Sequence, residues 1–520
     1  MSPIDWSLIE PALWVGTPMP ILRDGFGAVG MRFRVPLKHG DETDTEYLDL
    51  HADLVYSLQD KAVDAPFSSD VNTLPKFFER AMKIAGDTKH LTVYLCGGPG
   101  DGNPAFANPE LNRILLAQGS AVLYLDYRGT GRSSPVKGAI LRHRFGALND
   151  PSSSSVRAAA DYLSLFRQDH IAADLEAIRL CLDLSLRSNP RRQGPGLQFT
   201  LLGQSFGGWI ALTYLSFAPA SALRRVYMTG GMPPAFRTPD DVYSSLFRRV
   251  ERANEEYYAR YPQDVIRVRA VTAWLAARER NPAQGPVKLP PGGDLKLSAR
   301  GFMTMGRHFG RGPDGLAHVH DVVDRFYQDI QTTGELSRRT LRQFATTGGA
   351  GFRLHERPLY GVLHEAIYCA GPGVASRWAA QRVGRGLPGG HWAWLRDDYD
   401  FGNSTAGEAL YFSGEMIYEF MLRDGGPELE PFLEPARELA RRNTWSRMYD
   451  EQRLAGNTVP VRPMVYPNDM FVDYQFSLET ASRVRGCRVE QAPSNWPHAS
   501  VKSRTREVCS RLFGAGQGST

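Results

Sequence analysis

Gly203-Gln204-Ser205-Phe206-Gly207-Gly208 decides how this chain is read. Just before it, Gln198-Phe199-Thr200-Leu201-Leu202 is a short run rich in apolar residues, stopped by glycine, which is the pattern of a buried parallel strand. Just after it, residues 209–217 read as a helix. A serine at so sharp a strand-to-helix turn needs small neighbours two residues away on each side, because larger side chains would clash where the backbone folds back. Gly203 and Gly207 supply them. The turn also sets the serine at a helix N-terminus, where backbone N–H groups favour developing negative charge. Ser205 is the expected nucleophile.

Outward from that turn the same alternation continues. Leu91-Thr92-Val93-Tyr94-Leu95, Ala121-Val122-Leu123-Tyr124-Leu125 and Arg225-Val226-Tyr227-Met228 are further short runs, each ending at a glycine turn or an aspartate. Residues 110–118 and 171–186 carry helical spacing between them, the second with Ile171, Leu175, Ile178 and Leu182 on one face. Strand, helix, strand in succession implies a parallel sheet with right-handed crossovers. From about 232 to 430 the pattern breaks into amphipathic stretches (241–258, 262–278, 359–369) and loops such as 289–293, with few strand candidates. It resumes at Arg462-Pro463-Met464-Val465-Tyr466, with a helix from about Phe471, a strand at Cys487-Arg488-Val489-Glu490 and a last helix to Phe513. The fold expected is an α/β-hydrolase: a mostly parallel central sheet flanked by helices, built from 1–231 and 431–520, with 232–430 as a mostly helical cap.

In that fold the acid and the base follow the serine in the chain, on loops after late strands. Of twelve histidines, only His498 lies in the segment that resumes the sheet; His364 and His391 fall in the insertion. His498 is the expected base. Asp469, a short turn after the strand ending at Tyr466, is the favoured acid, and Asp473, placed inside the next helix, is its rival. One oxyanion donor is the N–H after the nucleophile, that of Phe206. The other is expected from the loop Cys96-Gly97-Gly98-Pro99-Gly100, where paired glycines let the backbone approach closely.

The bulk numbers narrow the rest. A formal net charge of +5 over 520 residues, with both signs interspersed, points to no nucleic-acid partner. No apolar run approaches the roughly 20 residues needed to cross a bilayer. The N-terminus lacks the basic and apolar regions of a secretory signal, and 514–520 reads as a frayed tail. Five cysteines, an odd number without a CxxC pair, suit a reducing compartment, so a cytoplasmic protein with no membrane partner is expected. His318 and His320 lack a third ligand nearby and make no metal site. Arg128 is read as an ion-paired residue shaping its loop.

Cys96-Gly97-Gly98-Pro99-Gly100, Asp126-Tyr127-Arg128-Gly129-Thr130-Gly131-Arg132-Ser133 and Gly203-Gln204-Ser205-Phe206-Gly207-Gly208-Trp209 together resemble the three signatures of the prolyl aminopeptidase (proline iminopeptidase) family. The stretches at 364–369, 414–418 and 468–473 resemble its longer fungal and actinobacterial members. The resemblance implies no cofactor and release of an N-terminal residue, typically proline, from a small peptide. Carried over by position, Ser205, Asp469 and His498 match the triad, and Gly98 and Phe206 match the oxyanion donors. Glu365 is the best match to the family's cap acids, which bind the substrate's free amino group; Glu415 is the second candidate. Cys96 stands where many members have His, and Tyr127 where many have Gln. An esterase, lactonase or amidase acting on a non-peptide small molecule is the competing expectation, since it would use the same triad. Epoxide hydrolases and dehalogenases of this fold need a carboxylate where Ser205 stands.

Overall fold

The computed structural model describes all residues except 1–3, 17–18, 24, 42, 58–89, 104, 188–195, 291–294, 348–352, 403–406 and 515–520. Part of the expected loop at 289–293 and nearly all of the expected tail therefore lie outside the described residues. The sheet is built from β1 (Leu13–Trp14), β2 (Met19–Arg23), β3 (Phe26–Pro36), β4 (Tyr47–Ser57), β5 (His90–Leu95), β6 (Val122–Leu125), β7 (Gln198–Gln204) and β8 (Leu223–Thr229). A hairpin of β9 (Val287–Lys288) and β10 (Lys296–Leu297) stands apart, and β11 (Val461–Val465) and β12 (Glu490–Gln491) complete the sheet. Its order is β1-β3-β4-β6-β5-β7-β8-β11-β12, with β2 beside β3.

From β6 to β12 every pairing is parallel, and the strands anticipated from short apolar runs all lie in this half. Buried on both faces, such strands cannot alternate, so continuous apolar runs are what they require. The β1–β4 arm is antiparallel throughout and joins the parallel half through β4 and β6. It escapes a search for apolar runs because β3 and β4 mix Gly27, Gly30, Arg32, Arg34, Asp49 and Asp53 among their apolar residues.

Two late elements differ in extent from the sequence reading. The strand anticipated at 487–490 pairs regularly only at Glu490–Gln491, with Cys487 bridging to Val461. The helix expected from about Phe471 starts at Tyr474 instead. Asp469 takes the N–H groups of Phe471 (2.8 Å) and Val472 (3.1 Å) into a turn, and Asp473 then caps the helix by accepting from Phe476 N–H (2.9 Å). Asp473 is thus the N-cap, outside the helix that was expected to contain it.

Between β8 and β11 the described residues are helical or irregular apart from the β9–β10 hairpin. The helix Pro239–Arg260 opens with a capping box between Thr238 and Asp241, and Asp264–Arg280 packs along Gly315–Thr333. The boundary expected at 430 falls inside the helix Gly426–Arg441, which packs on the helices Gly138–Phe145 and Ser154–Ser164. Gly138 N–H donates to Glu428 (2.8 Å) and Arg142 to the Pro427 carbonyl (3.0 Å), so this end of the segment is fastened to helices beside the sheet.

Candidate active site

Ser205 sits between β7 and the helix Phe206–Phe217 at φ +53°, ψ −124°, a conformation that L-residues rarely adopt. Backbone bonds on both sides hold it there: Ser205 N–H donates to the Thr229 carbonyl (3.1 Å), and Gly208 N–H to the Ser205 carbonyl (2.7 Å). The flanking glycines are a packing necessity. A Cβ on Gly207 would lie 2.1 Å from the Leu95 carbonyl oxygen, and one on Gly203 would lie 2.6 Å from that of Gly207. The strand end, the turn and the loop after β5 are therefore pressed together around the serine.

The structure also brings His498 and Asp469 together. The imidazole Nδ1 lies 2.7 Å from Asp469 Oδ2, and both side chains are buried. An ionised carboxylate only accepts, so Nδ1 carries the proton and Nε2 keeps its lone pair. Burial pulls the imidazole down, but the charge and hydrogen bond of Asp469, aided by Glu415, outweigh it and leave His498 above its ordinary value. Phe471 packs on the ring, with centroids 4.8 Å apart. A Cβ on Gly230 would come within 3.0 Å of Nδ1, so the turn after β8 leaves room for the histidine, a requirement not foreseen from sequence. Asp473 is engaged elsewhere: it accepts from Ser245 (2.6 Å) and Arg249 (2.8 Å) and ties the helix Tyr474–Ser482 to Pro239–Arg260.

A cavity of about 350 Å³ is lined by Ser205, His498, Cys96, Gly97 and Gly98 and, from the segment between β8 and β11, by Arg307, Arg311, Arg357, Tyr360 and Glu415. Gly97 N–H is occupied by the Gln204 side chain at 3.1 Å, while Gly98 lies beside it at φ +145°. Phe206 opens its helix, where the first amides have no partner within the helix. Burial pushes the Cys96 thiol up to about 12, so it stays protonated. Tyr127 does not reach the cavity; it is buried beneath Cys96 and donates to its carbonyl (3.1 Å). The two positions where this chain departs from the family signatures are thus in contact.

The two glutamates separate sharply. Glu365 does not line the cavity. Its carboxylate is buried and accepts from the N–H groups of Ala379 (3.0 Å) and Ala380 (2.9 Å), at the start of the helix Ala379–Arg385. Burial raises its pKa, those bonds only partly opposing the shift. The expectation that Glu365 offers a carboxylate to an amine is therefore corrected: backbone amides already hold it. Glu415 does line the cavity. The Tyr360 hydroxyl donates to one of its oxygens, and His364 Nε2 stands 3.9 Å from the other. Burial would push Glu415 up, but His364 and Tyr360 bring it down to about 2, so it is ionised. Tyr360 and His364 also stack, with centroids 5.1 Å apart, and neither was singled out from sequence for this part.

Away from the cavity, Arg128 is fully buried in a two-pronged pair with Asp174 (2.7 and 2.6 Å), as its loop-shaping reading expects. His320 bonds to Asp264 (2.8 Å) and stacks on Tyr261, while His318 lies beside His308. Among the described residues no group of three His, Cys, Asp or Glu side chains is placed to hold a metal ion, and no helix is long and apolar enough to cross a membrane.

Comparison with known proteins agrees with this fold. The alpha/beta hydrolase fold family matches residues 92–274. The chain is 33% identical over 424 residues to a proline iminopeptidase of Aeromonas sobria, covering 81% of this chain and 86% of that protein. It is 31% identical over 422 residues to the proline iminopeptidase aneH of Aspergillus aculeatus, covering 81% and 84%. With its serine turn, its parallel half-sheet and likeness over most of its length, the chain belongs to the proline iminopeptidase family of α/β-hydrolases.

Proposed function

We propose that the protein is a serine aminopeptidase that releases N-terminal proline, or a similar residue, from small peptides. The observation that carries this reading is the joint lining of one cavity by Ser205, His498 and an ionised Glu415. A nucleophile and base alone would suit any ester or amide. A half-buried anion lining the same cavity suits a substrate with a free α-ammonium, because each charge offsets the desolvation of the other.

In this reading His498 Nε2 takes the proton of Ser205 Oγ as the hydroxyl attacks the substrate carbonyl. Asp469 holds the ring orientation and stabilises the imidazolium that forms. The N–H groups of Gly98 and Phe206 receive the oxyanion. His498 then gives its proton to the leaving nitrogen, and water, activated in the same way, releases the acyl group. Glu415, held by Tyr360, binds the ammonium. The segment at about 232–430 acts as a cap, excluding water and bringing Glu415 to the site. Five cysteines without a disulfide support a cytoplasmic setting.

A panel of prolyl- and other aminoacyl-arylamides against arylesters tests the reading, with fluorophosphonate labelling of Ser205 alongside. Turnover of the arylamides, highest for proline, is expected. Labelling with turnover of simple esters alone would replace the aminopeptidase with an esterase.

A further inference from the structure

The cavity holds more positive charge than an amine-binding site needs. Its charged lining comprises Arg307, Arg311, Arg357 and Lys502 against Asp101 and Glu415. Arg357 is matched by Asp101 at 2.5 Å, and buried Arg307 shares the field of Glu415 and Tyr360. Arg311 and Lys502 are exposed, and among the described residues neither pairs with a carboxylate. Surplus cations beside Glu415 repel an ammonium unless the substrate brings a negative charge of its own.

Of Arg311 and Lys502, the lysine is close enough to His498 to disfavour its charged form. His498 delivers its proton to the leaving nitrogen, so the departing residue lies on the His498 side of the cavity. Lys502 follows His498 by four positions, in the short helix Ser500–Ser503, and lines the same space. In a dipeptide the carboxylate is borne by the residue that owns the scissile nitrogen. In longer peptides it moves further away with each residue added.

We propose, resting on the aminopeptidase reading, that Lys502, assisted by Arg311, binds the free C-terminal carboxylate of the substrate and makes dipeptides the preferred substrate class. Glu415 and Lys502 then grip the two ends of a zwitterion and set the bond between them over Ser205. The cavity, at about 350 Å³, is at the small end of the range for small-molecule sites, which suits a ligand of this size.

The test compares kcat/KM for prolyl-alanine and prolyl-alanine amide, which differ in that carboxylate, for the wild type, Lys502→Met and Lys502→Arg at low ionic strength. The wild type should favour the acid by about tenfold or more, and the advantage should shrink as salt is added. Lys502→Met should bring the ratio close to one, and Lys502→Arg should retain most of it. Equal use of acid and amide by the wild type, or an undiminished ratio in Lys502→Met, overturns the proposal and leaves the aminopeptidase reading standing. Hydrolysis of neither peptide sinks both.

Discussion

Ser205 and His498 reach the cavity, and Asp469 reaches His498, from turns just beyond strand ends, whereas Glu415 reaches the cavity from a stretch with no regular secondary structure. The first three are placed by local backbone: a glycine-flanked turn after β7, and loops after β11 and β12. Glu415 is placed by side chains drawn from elsewhere in the segment, Tyr360 and His364. Glu365 looks much the same in the sequence, an acid in an apolar stretch, yet helix amides hold it out of the cavity. Residues set by strand ends have their positions written locally. Residues set by tertiary partners do not.

The comparison breaks most clearly at the strand ends. Ser205→Ala should lower kcat by about 10^4-fold or more with the fold intact, since nucleophile and base act as a unit. Retention of most turnover would remove the strand-end group from the chemistry altogether. Asp469→Asn should cost about 10^3- to 10^4-fold in kcat through the wrong imidazole tautomer, whereas Asp473→Asn should chiefly lower the melting temperature. A reversed order would show that Asp473, with its bonds to Ser245 and Arg249, does more than fasten two helices.

In the irregular region the expected effects are smaller and depend on substrate. Glu415→Gln should cut kcat/KM for a prolyl-arylamide by about 100- to 1000-fold and spare an ester that lacks an amine. Equal loss on both would make Glu415 a structural residue. The pH profile joins the two regions. kcat/KM should fall about tenfold per unit on the acid side as His498 gains a proton, and the midpoint should lie above that of an ordinary histidine, because Asp469 and Glu415 favour the charged ring. Glu415, brought down to about 2, should add no second limb in the working range, and the His498 limb should move to lower pH in Glu415→Gln. Glu365→Gln should be mildest on chemistry: a loss of about 1–3 kcal/mol in stability from an unsatisfied buried amide, seen in thermal melts, with near-normal kcat/KM in the folded protein.

The same division explains what the sequence reveals. The parallel half of the sheet is legible because strands buried on both faces must be continuous apolar runs, and the serine turn because glycines are sterically required where the backbone folds back. The β1–β4 arm is not, since its strands mix glycine and charge with apolar residues. The pairing of His498 with Asp469 follows from chain order. The role of Gly230 in admitting the imidazole, and that of Tyr360 in holding Glu415, do not, because both depend on contacts across the fold. The choice between Glu365 and Glu415 turns on which one a helix start claims, and no local pattern records that.

The backbone of Ser205 carries a consequence beyond catalysis. At φ +53°, ψ −124°, any side chain is under strain, of order 1–3 kcal/mol for residues forced into such regions. Glycine would relax it, offset in part by the greater freedom glycine gives the unfolded chain. Heat tolerance and reactivity therefore pull in opposite directions at a single codon. A search for thermostable variants that does not also select for activity will be drawn toward Ser205→Gly, the one exchange that relieves the turn by removing the proposed nucleophile.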